Sequence, residues 1–200
     1  MKQLVLLLSL TFFCPLIAQS NRQIAKDFDG DKIKDTVYID SDLDKLVCLL
    51  SSNNFKKIES LKIRSLNFGN TLVETKNGFQ FWNDYGRSGW INEFEYNAKE
   101  KKMQLIKIYR TDYDIDRQKY GEAVKNGSGK SSIDLRTNRY VGNFYDVHDG
   151  KLRQLPTIIK QLVFTDTFLY CFSDDINFEF ENKCLKFYEK AKKKSNLKPI

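Results

Sequence analysis

A single histidine, His148, is all the chain offers to imidazole chemistry. A Ser-His-Asp or Cys-His mechanism has only this residue to use, and its setting, Asp146-Val147-His148-Asp149-Gly150, reads as a polar turn. Carboxylate chemistry is not excluded on the same ground. Asp112, Asp114 and Asp116 lie close together, and acid–base work on sugars uses two such groups held at a set separation across a cleft. A cell-envelope hydrolase with carboxylate catalysis is therefore the alternative to a leading reading without enzymatic activity.

Long apolar runs are also scarce. Beyond the first segment, no stretch approaches the roughly 18 apolar residues that a membrane-crossing helix needs. The first segment is itself too short. Met1-Lys2-Gln3, then Leu4 to Ile17 without a charge, then Ala18-Gln19-Ser20, has the basic start, short apolar middle and small-residue end of an export signal. Residues 1–20 are expected to be cleaved, leaving 21–200 as a single domain in the periplasm or outside the cell. Two alternatives are lipid attachment at Cys14, although Thr11-Phe12-Phe13 lacks the small residue such signals carry there, and retention of the segment as an anchor.

Internal repeats are missing, which argues against a multi-bladed propeller. Removing the signal leaves Cys48, Cys171 and Cys184, an odd number. Export permits disulfides. Cys171 with Cys184 is the pair with the shortest intervening segment; the competing reading is three buried thiols, with Cys48 in the apolar run Leu46-Val47-Cys48-Leu49-Leu50.

What the chain does have is 41% hydrophobic and 14% aromatic residues in 200, a composition that folds. It also has a formal charge of +7, polarised along its length. Lys183, Lys186, Lys190, Lys192, Lys193, Lys194 and Lys198 crowd the end, whereas the first third is rich in aspartate. Nucleic acid is not the expected partner of an exported protein. An anionic surface such as cell wall or lipid headgroups is the sharper use of such a tail, and simple solvation the plainer one.

Asp27-Phe28-Asp29-Gly30-Asp31-Lys32-Ile33-Lys34-Asp35 sets four carboxylates at alternating positions around a glycine, ahead of a strand-like run. Calcium takes six to eight oxygens, and a short turn presenting side chains at its first, third, fifth and ninth positions with a carbonyl at the seventh supplies most of them. The expected ligands are Asp27, Asp29, Asp31 and Asp35 through side chains and Ile33 through its carbonyl. An ordinary Asp/Gly turn is the competing reading. Asp40-Ser41-Asp42-Leu43-Asp44 reads as a solvated hairpin turn.

Two further stretches call for attention. Val124-Lys125-Asn126-Gly127-Ser128-Gly129-Lys130-Ser131 imitates a phosphate loop, but Val124 stands where the first glycine is needed and no strand-loop-helix unit surrounds it, so a turn between strands is expected. Phe81-Trp82-Asn83-Asp84-Tyr85-Gly86-Arg87-Ser88-Gly89-Trp90 crowds aromatics and an arginine into a connection between strands. Trp, Tyr and Arg dominate interface hot spots, and flat aromatic faces stack on sugar rings. Trp82, Asp84, Tyr85, Arg87 and Trp90 are the candidate partner-binding residues, with core packing the competing reading for both tryptophans.

Period-two patterning predicts strands at Thr36–Ile39, Lys45–Ser51, Lys57–Ile63, Thr71–Thr75, Phe79–Trp82, Trp90–Tyr96, Met103–Tyr109, Ser132–Tyr140 and Asn143–Val147, with Leu162–Phe172 as an interior strand. Asn77-Gly78 is a strong hairpin signal. Cys184, Phe187, Tyr188 and Ala191 recur at helical spacing, predicting a helix of three turns that caps a sheet. The fold class expected is mainly β, an antiparallel β-sandwich or curled meander sheet with a short C-terminal helix.

The nine-residue loop resembles the metal loops of FG-GAP and VCBS-type repeats and of dockerin-like modules. It departs from a full EF-hand in having Gly30 at the fourth place, Lys32 at the sixth and Tyr38 at the twelfth. The order of loop then hairpins, the Asn126-Gly127-Ser128-Gly129 turn and the Phe-rich segment before a Cys-containing helix is similar to small secreted proteins of Bacteroidetes. A fainter resemblance is to periplasmic lysozyme-inhibitor-like calcium-binding β-domains. The resemblances imply Ca²⁺ as the cofactor and a protein or envelope glycan as the partner, an inhibitor or immunity protein being one concrete form.

Overall fold

The computed structural model describes residues 22–66, 69–85, 88–112, 129–165 and 167–196. The expected export signal with Cys14, as well as Arg87, Asp114, Asp116, Lys198 and the Val124–Ser128 part of the phosphate-loop lookalike, lies outside the described residues. Within them, strands form two antiparallel sheets and one α-helix closes the fold.

The first sheet has the order β1 (Gln23–Lys26), β2 (Asp35–Asp40), β3 (Lys45–Leu49) and β4 (Lys57–Glu59). Its middle strands are the expected hairpin, with Thr36 opposite Leu49 and Asp40 opposite Lys45. Lys57–Ile63 forms a ladder only over its first three residues. The chain then stays against β3 by single bonds, Ser60 N–H to the Leu46 carbonyl and Ile63 N–H to the Asp44 carbonyl, both 2.8 Å, so Ile63 is buried without being in a strand.

The larger sheet is a meander through β5 (Thr71–Glu74), β6 (Gly78–Asp84), β7 (Ser88–Asn97), β8 (Lys102–Asp112), β9 (Gly129–Asp134) and β10 (Arg139–His148). Two short strands, β11 (Lys151–Gln154) and β12 (Ile158–Gln161), also pair with β10. The predicted strand Ser132–Tyr140 is in fact the end of β9, a turn and the start of β10. Asp134 makes the turn by accepting the Arg136 and Thr137 N–H groups at 2.9 and 3.1 Å, an Asx arrangement that competes with continued extension. Leu162–Phe172 is not a strand. It crosses with one isolated bridge, Gln104 to Phe168, and a 3₁₀ turn at Leu169–Cys171; Leu169 and Phe172 are buried by packing, the Phe172 ring lying 6.2 Å from Phe81 and 5.2 Å from Phe94, whereas Val163 and Tyr170 are exposed.

A bulge in β8 decides which residues face inward. Glu93 pairs with Lys107 but Phe94 pairs with Leu105, so Ile106 is an extra residue. Before it, Met103 and Leu105 point to the core; after it, Ile108, Arg110 and Asp112 do. Strict alternation would have sent Tyr109 and Thr111 inside and left Arg110 in water.

Helix α1 (Asp175–Asn196) is twice the predicted length and covers the inner face of the larger sheet. Phe180, Cys184 and Tyr188, one turn apart, are at most 1% exposed and meet Trp90, Tyr140 and Phe144. Gly142 makes room for these rings: a Cβ there would overlap the Tyr140 hydroxyl and the Phe144 ring. The first sheet covers the other end of the same face, where Phe28 and Phe79 meet at 5.9 Å. The Cys171–Cys184 bridge weighed from sequence is not formed. Cys48, Cys171 and Cys184 are free thiols, and Cys184 faces the Ser131 hydroxyl at 3.4 Å from inside the helix–sheet seam.

The seam is not wholly apolar. Asn92 and Asn177 are both fully buried and exchange two hydrogen bonds, at 2.8 and 3.1 Å. Arg110 Nη2 reaches Asp112 at 3.2 Å and Glu181 at 2.8 Å, while its guanidinium stands 5.9 Å from the Trp90 ring centre. Asp146 pairs with Arg153 at 3.1 Å and Lys192 at 3.2 Å. Truncating Asn177 to Ala leaves a buried amide without its partner, a loss of about 1–3 kcal/mol. In a double-mutant cycle by urea denaturation, Asn92→Ala with Asn177→Ala should cost less than the sum of the single changes; strict additivity would show that the pair does not act as a unit.

Candidate functional site

The acidic loop lies between β1 and β2, and the hairpin register brings a second segment to it. Because Thr36 opposes Leu49, the residues just beyond β3 fall beside Asp35, where Ser51 opens a 3₁₀ turn. Asp35 is fully buried. Its carboxylate accepts the Phe28 N–H at 2.7 Å from the start of the loop and the Ser51 N–H at 2.7 Å from the end of the hairpin. Asp27 accepts the Gly30 and Lys32 N–H groups at 2.7 and 2.9 Å, folding the loop over itself. Gly30 and Lys32 take positive φ, 88° and 70°, the backbone that this reversal requires.

Asp27, Asp29 and Asp35 each offer one carboxylate oxygen, and the three atoms lie within 4.8 Å of one another. Asp31 turns to other partners, accepting the Ile33 N–H at 2.7 Å and the Ser51 hydroxyl at 2.7 Å. The Ile33 side chain is exposed, as suits a residue expected to act through its carbonyl. Sequence reasoning missed Ser51. Its hydroxyl oxygen is 2.7 Å from Asp31, 2.9 Å from Asp35 and 3.5 Å from Asp29, yet it has one proton to give. The only signal for it was the hairpin register.

The cluster is electrostatically lopsided. Among the described residues, no lysine or arginine lies within ion-pair distance of Asp27, Asp29, Asp31 or Asp35. Burial raises the Asp29 pKa, but hydrogen bonds from Ser52, the Asp31 amide and Ser51 outweigh it and hold the carboxyl below its ordinary 3.8. The neighbouring Cys48 thiol is pushed up to about 12, first by burial and then by the charges of Asp35 and Asp29. The donor set is all hard oxygen, and each carboxylate oxygen that accepts an amide N–H keeps a lone pair for a cation, so the residues fit calcium.

The candidate contact residues separate. Trp90 is 1% exposed and belongs to the core, against Phe180 and Tyr85. Tyr85 is half-buried beneath the turn between β6 and β7, its hydroxyl accepting from Asn177 at 3.3 Å, and its pKa is pushed up to about 12, chiefly by burial. Asp84 is half-buried at the end of β6. Trp82 alone of the four described residues presents a large exposed surface, 41%, and its indole N–H is held by Gln80 at 2.9 Å.

Trp82 is not isolated. The register places Trp82 opposite Ile91, Ile91 opposite Tyr109, Tyr109 opposite Ser132 and Ser132 opposite Val141, a row across five strands on the face that the helix does not cover. Cross-strand neighbours of this kind touch directly. The adjacent row, Gln80, Glu93, Lys107, Asp134 and Arg139, is polar. Tyr109 joins the open face because of the bulge at Ile106, which a period-two reading of β8 does not reveal.

His148 is exposed at the end of β10 with Asp149 at 3.5 Å. Asp112 is buried against Arg110. Gly129-Lys130-Ser131 opens β9 rather than a helix, so the phosphate-loop lookalike lacks the N-terminal helix dipole such loops use. No protein-family profile matches the chain, and no curated protein or solved structure matches it.

Ser51→Ala should cost about 1–2 kcal/mol of stability in excess chelator, read by denaturant unfolding, because it removes a hydroxyl donor that lies among Asp29, Asp31 and Asp35. A stability gain there would mean that the hydroxyl adds crowding rather than compensation.

Proposed function

We propose that the chain is an exported, non-enzymatic β-domain, periplasmic or secreted, that is stabilised by one Ca²⁺ and binds a protein or an envelope glycan, an inhibitor or immunity protein being one concrete form. The observation that carries the metal is the convergence of Asp27, Asp29 and Asp35 oxygens within 4.8 Å with no cationic side chain of the described residues beside them. Asp31 and the Ile33 carbonyl are the remaining ligands of the proposal. Bound calcium would offset the repulsion among the acids and tie the end of the β2–β3 hairpin to the loop through Asp35. This is a structural role: the loop lies on the first sheet, away from the row that carries Trp82.

The partner face in this reading is that row. Trp82 and Tyr109 supply flat aromatic area, Ile91 and Val141 fill between and beside them, and polar residues flank the stripe, the pattern of an apolar centre with a wet rim. Tyr85 and Trp90 support it from beneath.

Calorimetry should detect Ca²⁺ binding to the wild-type protein and its loss in Asp29→Ala; absent binding in both ends the calcium claim. At calcium a hundred times its dissociation constant, unfolding should be harder by about 2.7 kcal/mol. For the partner, Trp82→Ala combined with Tyr109→Ala should abolish retention on purified envelope glycan or on immobilised envelope protein at an unchanged melting temperature. Turnover of glycan by the pure protein would replace this reading with a hydrolase.

A further inference from the structure

Between the outer edge of the larger sheet and the last turns of α1 runs an open groove of about 440 Å³. Its floor is apolar, with Pro156 and Ile158 on one wall and Phe187 and Ala191 on the other. Ile159, 55% exposed, stands at its edge on β12, which pairs with β10 alone. Its rim is cationic: Lys160 on the strand, Lys190 and Lys194 on the helix, and no acidic residue lines it.

These lysines differ from their neighbours. Lys183 pairs with Glu179 at 3.1 Å and Lys192 with Asp146 at 3.2 Å, whereas among the described residues no carboxylate lies within ion-pair distance of Lys160, Lys186, Lys190 or Lys194. Lys186, Lys190 and Lys194 follow one another at four-residue steps, so they form a row about 12 Å long on one side of the helix. A single anion needs one or two such charges. A row matches a repeated array of anions, and the exposed apolar floor beside it matches hydrocarbon, which a soluble polyanion does not supply.

We propose that this groove is a docking face for an anionic lipid bilayer, the lysine row lying on the headgroups while Ile159 and Pro156 enter the headgroup–acyl boundary. Apolar area and basic charge together are the combination that gives reversible attachment to a membrane surface. The contact is separate from the acidic loop, and it meets the face that carries Trp82 only at Ile159, which stands opposite Val141 at the end of that row.

The test uses the chain from Asn21 onward, which contains both sheets, the helix and every residue of the groove, with sedimentation of vesicles of phosphatidylglycerol mixed with phosphatidylcholine against vesicles of phosphatidylcholine alone. Binding is expected only to the anionic vesicles and should weaken with salt. Lys190→Gln with Lys194→Gln should lower the affinity roughly 25-fold, about fivefold for each lysine. Ile159→Ser, a surface change, should weaken vesicle binding severalfold while leaving any binding of soluble polyphosphate unaltered. Equal binding to both vesicle types, no binding to either, or vesicle binding indifferent to Ile159→Ser and abolished by polyphosphate would each overturn the proposal, the last in favour of a simple polyanion site. Circular dichroism of each variant confirms that the helix is retained.

Discussion

A sheet of eight strands has an inner face far larger than one helix can hide, and the molecule is organised around how that face is covered. Helix α1 takes the end formed by β7 to β10, with Phe180, Cys184 and Tyr188 laid on Trp90, Tyr140 and Phe144. The first sheet and the segment around Phe172 take the end formed by β6 to β8. Between these two covers the inner face carries polar groups, and each is answered by one of them: Asn92 by Asn177, Arg110 by Glu181, Asp146 by Lys192. Asp174, fully buried just before the helix, accepts the Arg64 and Ser65 N–H groups at 3.2 and 2.9 Å and so joins the two covers to each other. Such pairs add little net energy against well-packed apolar residues. What they do is fix the axial position of the helix, since a shift by one turn would strand several buried charges at once.

Asp35 plays the corresponding part in the first sheet. A buried carboxylate is costly unless it is hydrogen-bonded, and this one accepts bonds from Ser51, sixteen residues further along the chain, as well as from Phe28 of its own loop. The loop conformation and the end of the hairpin are therefore held by the same two oxygen atoms. The charge left over has no arginine or lysine of the described residues within ion-pair distance to balance it.

Much of this was legible. The hairpin of β2 and β3, the Asn77-Gly78 turn, the meander from β5 to β8 and the amphipathic stripe of the last helix all follow from local periodicity and turn chemistry, and all are present. The failures have physical causes. Ile106 broke the parity of β8, so the inward Arg110 and the outward Tyr109 were both invisible to alternation. Leu162–Phe172 has strand composition, but it docks through Leu169 and Phe172 without forming a ladder. Asp134 turned one predicted strand into two. At the acidic loop the aspartates were readable because they are local, whereas Ser51 was not, since only the register of a hairpin brings it there. Among the contact residues, composition identified an aromatic cluster but could not tell that Trp82 and Trp90, eight residues apart on neighbouring strands, point to opposite faces.

The three free thiols acquire a use from where they sit. Cys48 lies fully buried beneath the acidic loop, Cys184 fully buried on the sheet-facing side of the helix, and Cys171 half-exposed in the 3₁₀ turn. Burial and the adjoining carboxylates keep the first two in the unreactive protonated form. Their rates of alkylation are therefore set by how often the structure above each one opens, with Cys171 as the internal standard for an accessible sulfur. The protein thus carries a native pair of clocks, one for the lifting of its first sheet and one for the lifting of its helix, by which the cooperativity between its two covers can be timed without adding a label site.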